Sequence, residues 1–330
     1  MEQTQPQASK QEVVIQIQDL KKHYPVGNGG FLVQNQRVLR ALDGVSLEIR
    51  KGEIFGIVGE SGCGKSTLGR SMLRLFPVTS GSILFHGKDI TNLNRKALKP
   101  YRRDMQMVFQ NPFSSFNPKH SIGSALREVG QVHGLGREET EEKLNSLMEY
   151  ISLPHDILKR SPGELSGGQL QRLAIARALM LDPSFIVADE PVSALDVSVQ
   201  AQILNLIVDL RRKLDMTMLF ISHEMIVIEH ICDKVAVMYL GQVMEMADTK
   251  ELFANLLHPY TQALMSAIPK ADPAANRQRI ILEGDVQSAM DVPRGCRFAS
   301  RCRRCTKHCQ EEAPTLRDVG GGHLVACHLV

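Results

Sequence analysis

Tryptophan is absent from this 330-residue chain, and aromatic residues of all kinds make up only 5% of it. An excess of one charge is also missing, because 39 basic residues offset 36 acidic ones and leave a net charge of +3. A balance this close to neutrality does not indicate wholesale binding to nucleic acid. The core must therefore be built mainly from aliphatic side chains, within a hydrophobic content of 43% that is ordinary for a globular protein.

Long apolar runs are missing as well. A transmembrane helix needs roughly 18 uninterrupted apolar residues, and no segment approaches that length. The most apolar stretch, residues 217–240, is interrupted by His223, Glu224, Glu229, His230, Asp233 and Lys234. Because the first residues are polar and do not form a signal peptide, we expect neither a membrane span nor export.

Cysteine is sparse over most of the chain and crowded near its end. Of the seven cysteines, Cys63 and Cys232 stand alone, whereas five lie between residues 296 and 327. This crowding indicates a site, and a cytosolic location disfavours disulfides. A basic cluster overlaps the same region, and such clusters are mostly solvated surface. It consists of Arg297, Arg301, Arg303, Arg304 and Lys307.

The most informative segment is the glycine-rich sequence GESGCGKST at residues 59–67. It follows an apolar run at residues 54–58 and precedes a helical pattern, which is the context of a phosphate-binding loop. Glycines let backbone N–H groups surround an anion, Lys65 reaches the β- and γ-phosphates, and the Ser66 hydroxyl can hold Mg²⁺. A plain surface turn is a poor alternative for so complete a pattern. The predicted nucleotide contacts are Gly59, Ser61, Gly62, Cys63, Gly64, Lys65, Ser66 and Thr67.

A second motif supplies carboxylates. The apolar run at residues 185–188 ends in Asp189 and Glu190. At the carboxyl edge of a parallel sheet, Asp189 can bind Mg²⁺ through its water shell, which leaves Glu190 to polarise an attacking water. The alternative is an acidic pair that merely caps a helix. Together with the phosphate loop, the pair predicts phosphoryl transfer from a nucleoside triphosphate.

A third motif, LSGGQ at residues 165–169, directly precedes a helical pattern. Its glycines expose backbone donors at a helix start, so this motif predicts a second anion site in the same chain. The residues assigned to this site are Ser166, Gly167, Gly168 and Gln169.

The order of elements predicts an α/β fold with a mostly parallel sheet. Strand patterns occur at residues 13–20, 45–49, 80–90, 105–109, 185–188 and 218–221. Helical patterns occur at residues 121–133, 137–151, 169–180 and 197–213. We expect a hairpin loop at 26–37, a helical subdomain inserted at about 111–182, and a linker at 271–279. The predicted domains are therefore residues 12–270 and a small Cys-rich module, 271–330.

The motifs, in this order, resemble those of the ATPases of ATP-binding cassette (ABC) transporters over residues 12–268. The resemblance implies a phosphate-loop ABC core, with an antiparallel β subdomain and the inserted helical subdomain. It implies that residues 165–169 are the ABC signature and that residues 193–196 are the D-loop with Asp196. It also implies that Gln110 belongs to the Q-loop and helps to bind Mg²⁺, that His223 is the switch histidine, and that Tyr24 stacks on adenine. Glu190, His223 and Gln110 are then the catalytic residues.

The cysteine spacing at the end of the chain predicts a metal site without identifying the metal. Cys296, Cys302, Cys309 and Cys327 are four soft ligands, with Cys305 as a fifth thiol between them. Zinc and an iron–sulfur cluster both accept four thiolates, and uncomplexed thiols are the remaining alternative. This segment resembles the C-terminal module of the oligopeptide/dipeptide branch of these ATPases. That resemblance implies a [4Fe-4S] cluster on the four cysteines and leaves Cys305 as an extra thiol.

The resemblance further implies the ATP-binding and ATP-hydrolysing subunit of a peptide importer, bound to the cytoplasmic face of the cell membrane. It resembles the second of two ATPase subunits, so a heterodimer with a related ATPase is favoured over a homodimer. Two permease subunits would be direct partners, and a substrate-binding protein an indirect one. Phe113 and Phe116 either pack inside the helical subdomain or line a groove for a short permease helix. The alternatives are an ATPase acting on nucleic acid or ribosomes, a silent regulatory subunit, and an importer of nickel or another small solute.

Overall fold

The computed structural model describes residues 12–26, 37–268, 280–284 and 287–330. The strands are β1 (Val13–Val26), β2 (Arg37–Arg50), β3 (Ile54–Val58), β4 (Ser80–Phe85), β5 (Lys88–Asp89), β6 (Met105–Val108), β7 (Phe185–Asp189), β8 (Met218–Ile221), β9 (Lys234–Tyr239), β10 (Gln242–Asp248), β11 (Arg317–Asp318) and β12 (Leu324–Val325). The helices are α1 (Lys65–Met72), α2 (Tyr101–Asp104), α3 (Ile122–Val132), α4 (Arg137–Tyr150), α5 (Gly167–Leu179), α6 (Val197–Leu214), α7 (Met225–Ile231), α8 (Thr249–Ala254), α9 (Pro259–Ser266) and α10 (Lys307–Glu311).

The larger of the two sheets has the order β11-β12-β10-β9-β3-β8-β7-β6. Its strands β9, β3, β8, β7 and β6 run parallel, and their burial on both faces explains their continuous apolar runs. Because β3, β8 and β7 run parallel, the phosphate loop after β3 and the two carboxylates at the end of β7 lie at the same edge of the sheet. This topology agrees with the predicted α/β class.

The smaller sheet is antiparallel, with the order β2-β1-β4-β5. Strands β1 and β2 are longer than the sequence predicted. Register shifts interrupt their pairing, among them one between Ile17 and Leu20. Further shifts follow between Leu20 and Lys21 and between Lys22 and His23, and each bulge breaks the period-two alternation by which a strand is recognised. The predicted loop at residues 26–37 lies outside the described residues except for its two ends, which belong to β1 and β2.

Helices α3, α4 and α5 lie between β6 and β7 in the chain, close to the predicted helical segments. Their apolar faces share one core, in which Ile122, Leu126 and Leu144 are fully buried. None of the elements that begin after residue 230 was predicted, namely β9, β10, α8, α9, α10, β11 and β12. Because β9 and β10 are nearly all buried, they show no amphipathic alternation that would identify them.

The end of the chain packs directly onto the larger sheet. Strand β12 pairs with β10, and Phe298 forms aromatic contacts with Tyr239 and Tyr260, with ring centroids 5.4 and 5.3 Å apart. The predicted linker at residues 271–279 lies outside the described part of the chain. Among the helices within that part, none has the length and apolarity needed to span a bilayer.

The interpretation of the basic cluster as solvated surface was wrong for two of its members. The side chains of Arg297 and Arg301 are only 5% and 8% exposed, whereas Arg303, Arg304 and Lys307 lie on the surface. The two buried arginines have carboxylate partners, Asp43 and Glu60, which lie more than 200 residues away in sequence. Buried arginines require such partners because the loss of water is otherwise costly, and sequence spacing gave no sign of these partners.

Candidate functional site

The phosphate loop links the end of β3 to the start of α1. Its last glycine, Gly64, has φ of 107°, and a Cβ at this position would overlap the carbonyl oxygen of Ala41. Only glycine fits this conformation and this space. Helix α1 begins at Lys65 without a side chain that caps its N-terminus. Its first N–H groups are therefore left to an acceptor from outside the helix, and the helix dipole favours an anion there.

A cavity of about 370 Å³ lies at this loop. It is lined by Tyr24, Leu39, Ala41, Ser61, Gly62, Gly64, Lys65, Ser66, Thr67, Gln110, Glu190 and Ala289. The Lys65 ammonium donates to the carbonyl oxygens of Gly59 and Glu60 at 2.8 and 3.1 Å, so it lies within the loop itself. The Cys63 side chain is 2% exposed and packs in the core, which leaves only its backbone to bind a ligand.

Ser66 and Asp189 form the predicted magnesium pair. The Ser66 hydroxyl donates to Asp189 Oδ1 at 2.7 Å, and Arg70 Nη2 lies 3.3 Å from Asp189 Oδ2. Burial raises the pKa of Asp189, although the hydrogen bond from Ser66 and the charge of Arg70 oppose this shift. Hydroxyl and carboxylate oxygens are ligands that Mg²⁺ accepts. The pair therefore fits this ion.

The Glu190 carboxylate lies close to the other two predicted catalytic residues and to Lys65. Gln110 Nε2 donates to its carboxylate at 3.0 Å, His223 Nδ1 lies 3.3 Å from Glu190 Oε2, and Lys65 Nζ lies 4.0 Å from Oε1. Glu190 itself has φ of 48°, a left-handed conformation that costs about 1 kcal/mol in a residue with a side chain. Strain of this kind is found where a side chain must be held in a functional position.

Tyr24 lies at the edge of the cavity. Its ring packs edge-on against Phe76 with centroids 6.3 Å apart, and Lys22 Nζ lies 4.7 Å from its centroid. The position is compatible with stacking on a base, and that role stays a prediction.

The signature residues are not brought to this cavity. Ser166 is the N-cap of α5, where its hydroxyl accepts from the Gln169 N–H at 3.3 Å, and Gln169 Oε1 accepts from the Ser166 N–H at 3.1 Å. Gly167 and Gly168 pack toward Leu195 and Val199. Asp196, at the N-cap of α6, is exposed and makes no side-chain capping bond. None of these signature residues, nor Asp196, lines the cavity at the phosphate loop.

Sequence reasoning missed several residues of the site. Arg70 lies one turn after Ser66 on α1, so its approach to the same carboxylate was predictable from helical spacing. Leu39, Ala41 and Ala289 carry no motif. Ala289 reaches the cavity because its carbonyl accepts from the Arg40 N–H at 3.0 Å, a long-range contact without a local signal.

The cysteines near the end of the chain are neighbours. Burial, together with the nearby Cys309, Cys327 and Cys302, raises the pKa of Cys296 to about 11. The Cys296 N–H also donates to the Cys309 carbonyl at 2.7 Å. Cys305 lies beside Cys302, because its N–H donates to the Cys302 carbonyl at 3.1 Å, and its thiol lies 3.5 Å from the Thr306 carbonyl. Over the described residues, no three His, Cys, Asp or Glu side chains are arranged to hold a metal ion.

The parallel sheet, the phosphate loop after β3 and the carboxylates after β7 define a phosphate-loop nucleotide-binding protein. Comparison with known proteins narrows this class. Residues 42–193 match the ABC transporter family, and residues 244–309 match the oligopeptide/dipeptide transporter C-terminal region. Among solved structures, cbiO1 of Clostridium perfringens aligns with a TM-score of 0.64 and 27% identity, covering 74% of this chain and 92% of cbiO1.

Another similar structure is the dimeric ATP-binding cassette MJ0796 in a post-hydrolysis state with ADP and Pi. It aligns with a TM-score of 0.62 and 27% identity, over 71% of this chain and 98% of that cassette. The oligopeptide transport ATP-binding protein AppF of Bacillus subtilis is 47% identical over 98% of this chain and 99% of its own length. The dipeptide transport ATP-binding protein DppF of Escherichia coli is 46% identical, over 98% and 96%. The chain belongs to the ATP-binding subunits of oligopeptide/dipeptide ABC transporters.

Proposed function

We propose that this chain binds and hydrolyses ATP to drive peptide uptake through partner permeases. The convergence of Gln110, His223 and Lys65 on the Glu190 carboxylate carries the proposal, because hydrolysis needs an oriented base beside the phosphate loop. The names of AppF and DppF, which are transport ATP-binding proteins, support transport of peptides. They favour this role over action on nucleic acid.

The residues divide the chemistry between them. The uncapped start of α1 and Lys65 bind the phosphates, and Tyr24 is proposed to stack on the base. Ser66, Asp189 and, through its amide oxygen, Gln110 would hold Mg²⁺, which neutralises charge on the phosphates. Glu190 accepts a proton from the attacking water, and His223 beside it fixes the orientation of the carboxylate.

The exposed signature loop supports a dimeric arrangement. Ser166 is exposed at the start of α5, away from the cavity of its own chain. We propose that it completes the site of a second, related ATPase, since helix-dipole charge at this end favours a phosphate. MJ0796, the similar cassette bound to ADP and Pi, is dimeric, which supports this arrangement. We further propose that this second ATPase is a related but different chain, so that the dimer is a heterodimer.

A groove between the helices and the larger sheet supports contact with permeases. It measures about 910 Å³ and is lined by basic residues and by Phe109. Phe116 is buried in the core, whereas Phe113 is 49% exposed. We propose that residues 111–182 form the helical subdomain, that Phe113 contacts a permease helix, and that the protein sits on the cytoplasmic face of the membrane.

For the end of the chain we propose a module, residues 271–330, with a [4Fe-4S] cluster on Cys296, Cys302, Cys309 and Cys327. The position of Cys296 near Cys302, Cys309 and Cys327 supports this ligand set, and only the family resemblance leaves out Cys305, which also lies beside Cys302. The cluster would stabilise the module, and zinc is the alternative. Protein purified without oxygen should contain iron and sulfide, and Cys309→Ser should lose both. Stoichiometric zinc without iron would overturn the cluster.

The function is tested with Glu190→Gln in the complex with its permeases. We expect turnover to fall at least a hundredfold while MgATP binding persists, because the amide keeps the shape of the side chain but accepts no proton. The same variant should accumulate a closed, nucleotide-bound dimer. Glu229→Gln, on the exposed side of α7, is the matched control. Near-normal turnover by Glu190→Gln would refute the assignment.

A further inference from the structure

One arginine of the Cys-rich segment contacts the phosphate loop directly. Arg301 Nη1 lies 2.7 Å from Glu60 Oε2, and its Nη2 lies 3.2 Å from Oε1, so the contact is bidentate. Glu60 is the second residue of the phosphate loop, and the two residues are 241 positions apart in sequence. The side chains of Arg301 and Glu60 are 8% and 24% exposed, which makes this a partly buried, charge-assisted contact.

Glu60 is held at three points. Besides the carboxylate contact, its N–H donates to the Tyr260 hydroxyl at 2.9 Å, and its carbonyl accepts from Lys65 Nζ at 3.1 Å. Arg301 also lies 3.4 Å from the Tyr239 hydroxyl. Although burial opposes it, the hydrogen bonds to Glu60 and Tyr239 raise the pKa of Arg301. The conformation of the loop residue next to Gly59 therefore depends on packing from the end of the chain.

A second arginine of the same segment makes a similar contact, close in sequence to the cavity residue Ala41. Arg297 donates to the Asp43 carboxylate and to the Leu240 carbonyl, the latter at 2.7 Å. Asp43 also binds His23 Nε2 at 2.9 Å, and His23 precedes Tyr24 on β1. Within residues 289–301, Ala289 lines the nucleotide cavity itself, whereas Arg297 and Arg301 contact residues next to those that line it.

We propose that Arg301 is a positioning residue for nucleotide binding, which acts by fixing Glu60 and with it the first turn of the phosphate loop. A loop already held in its binding conformation does not lose conformational entropy when the triphosphate enters. Freeing Glu60 would reintroduce that cost. The Cys-rich segment thereby contributes to the ATP site. This inference rests on the proposed function, in which the cavity binds MgATP.

The test measures the Kd of a fluorescent MgATP analogue for the full-length chain. Arg301→Met keeps much of the apolar stem and removes the ion pair, and we expect the Kd to rise about tenfold. Glu60→Gln should give a similar rise from the other side of the contact. The double variant should be no worse than either single variant, because both remove one interaction. Arg301→Lys should recover part of the affinity.

Three controls separate the outcomes. Arg303→Met removes a neighbouring exposed arginine and should leave the Kd unchanged. Lys65→Ala should weaken binding several hundredfold; if the Kd stays within tenfold of wild type, the cavity is not the ATP site and the proposed function fails independently. Iron and zinc contents should be equal in wild type and Arg301→Met.

If Arg301→Met and Glu60→Gln lower the Tm but leave the Kd within twofold of wild type, the arginine is only structural and the inference is wrong. Should Arg301→Met fail to fold, Glu60→Gln decides alone.

Discussion

The phosphate loop and the signature loop are both glycine-bearing segments that lead into a helix, yet the structure completes them differently. Helix α1 starts at Lys65 after a left-handed glycine and has no side-chain cap. Helix α5 starts after Ser166, whose ordinary extended conformation allows it and Gln169 to satisfy each other's N–H groups. The first helix start faces a cavity with two carboxylates nearby, and the second faces solvent.

This difference between the two loops shows that the features that lower stability are concentrated at one functional region. Uncapped N–H groups, a buried Asp189 and a left-handed Glu190 all oppose folding, and all lie in or beside the phosphate loop. The signature loop is locally self-sufficient, so it contributes to stability by itself, and its proposed role in catalysis requires a second chain. Four variants test this contrast.

The largest effect is expected from Lys65→Ala. Its ammonium is 4% exposed and lies within the loop, so its loss removes a desolvated charge from the phosphates. We expect MgATP affinity to fall several hundredfold. Titration calorimetry on the full-length chain measures the change, and Lys51→Ala, on an exposed turn, should not alter it. Affinity within tenfold of wild type would contradict the role of this loop.

Ser166→Arg should separate the two regions. A bulky cation at the exposed start of α5 blocks a facing chain without touching the cavity of its own chain. We expect turnover by the assembled complex to fall about a hundredfold, while the MgATP affinity of the isolated chain stays within twofold. Ser146→Arg, exposed on α4, is the control. Unaltered turnover would show that the signature loop does not act across a dimer.

Asp189→Asn should stabilise the protein without nucleotide. Burial raises the folded-state pKa of Asp189 above the unfolded value of about 3.9. Such a carboxyl favours folding below the unfolded pKa, and this contribution is lost as pH rises through the folded pKa. At pH 7 we therefore expect a gain of about 1 kcal/mol in unfolding free energy, which shrinks as pH falls toward 4.

Urea denaturation at pH 7 and pH 4.5 measures this gain, and exposed Asp209→Asn should give no comparable change. A loss of stability at pH 7 would mean that the hydrogen bond from Ser66 and the charge of Arg70 outweigh burial.

The smallest effect is expected from Gln169→Ala. It removes the acceptor of the Ser166 N–H at a partly exposed helix start, and we expect a loss of about 0.5 kcal/mol. Thermal unfolding of the chain without nucleotide tests the value, with Gln131→Ala on α3 as the control. A loss well above 1 kcal/mol would mean that α5 is not stabilised only locally.

The sequence predicted the elements whose signals are local. The phosphate loop, the Asp189–Glu190 pair and the α3, α4 and α6 patterns each lie within a short window, and the structure has them close to the expected positions. The antiparallel β1–β2 pair was underestimated because bulges interrupt its alternation. Strands β9 and β10 were missed because burial on both faces removes the alternation altogether.

The sequence alone determined the local backbone conformations, which depend on the glycines of the phosphate loop and on the residues that cap the helices. The tertiary structure decided which distant groups meet: Gln110 and His223 at Glu190, Tyr260 and Arg301 at Glu60, and β12 at the edge of β10. The physical reason is that a turn depends on the conformations of neighbouring residues, whereas a contact across 241 positions depends on how whole layers pack.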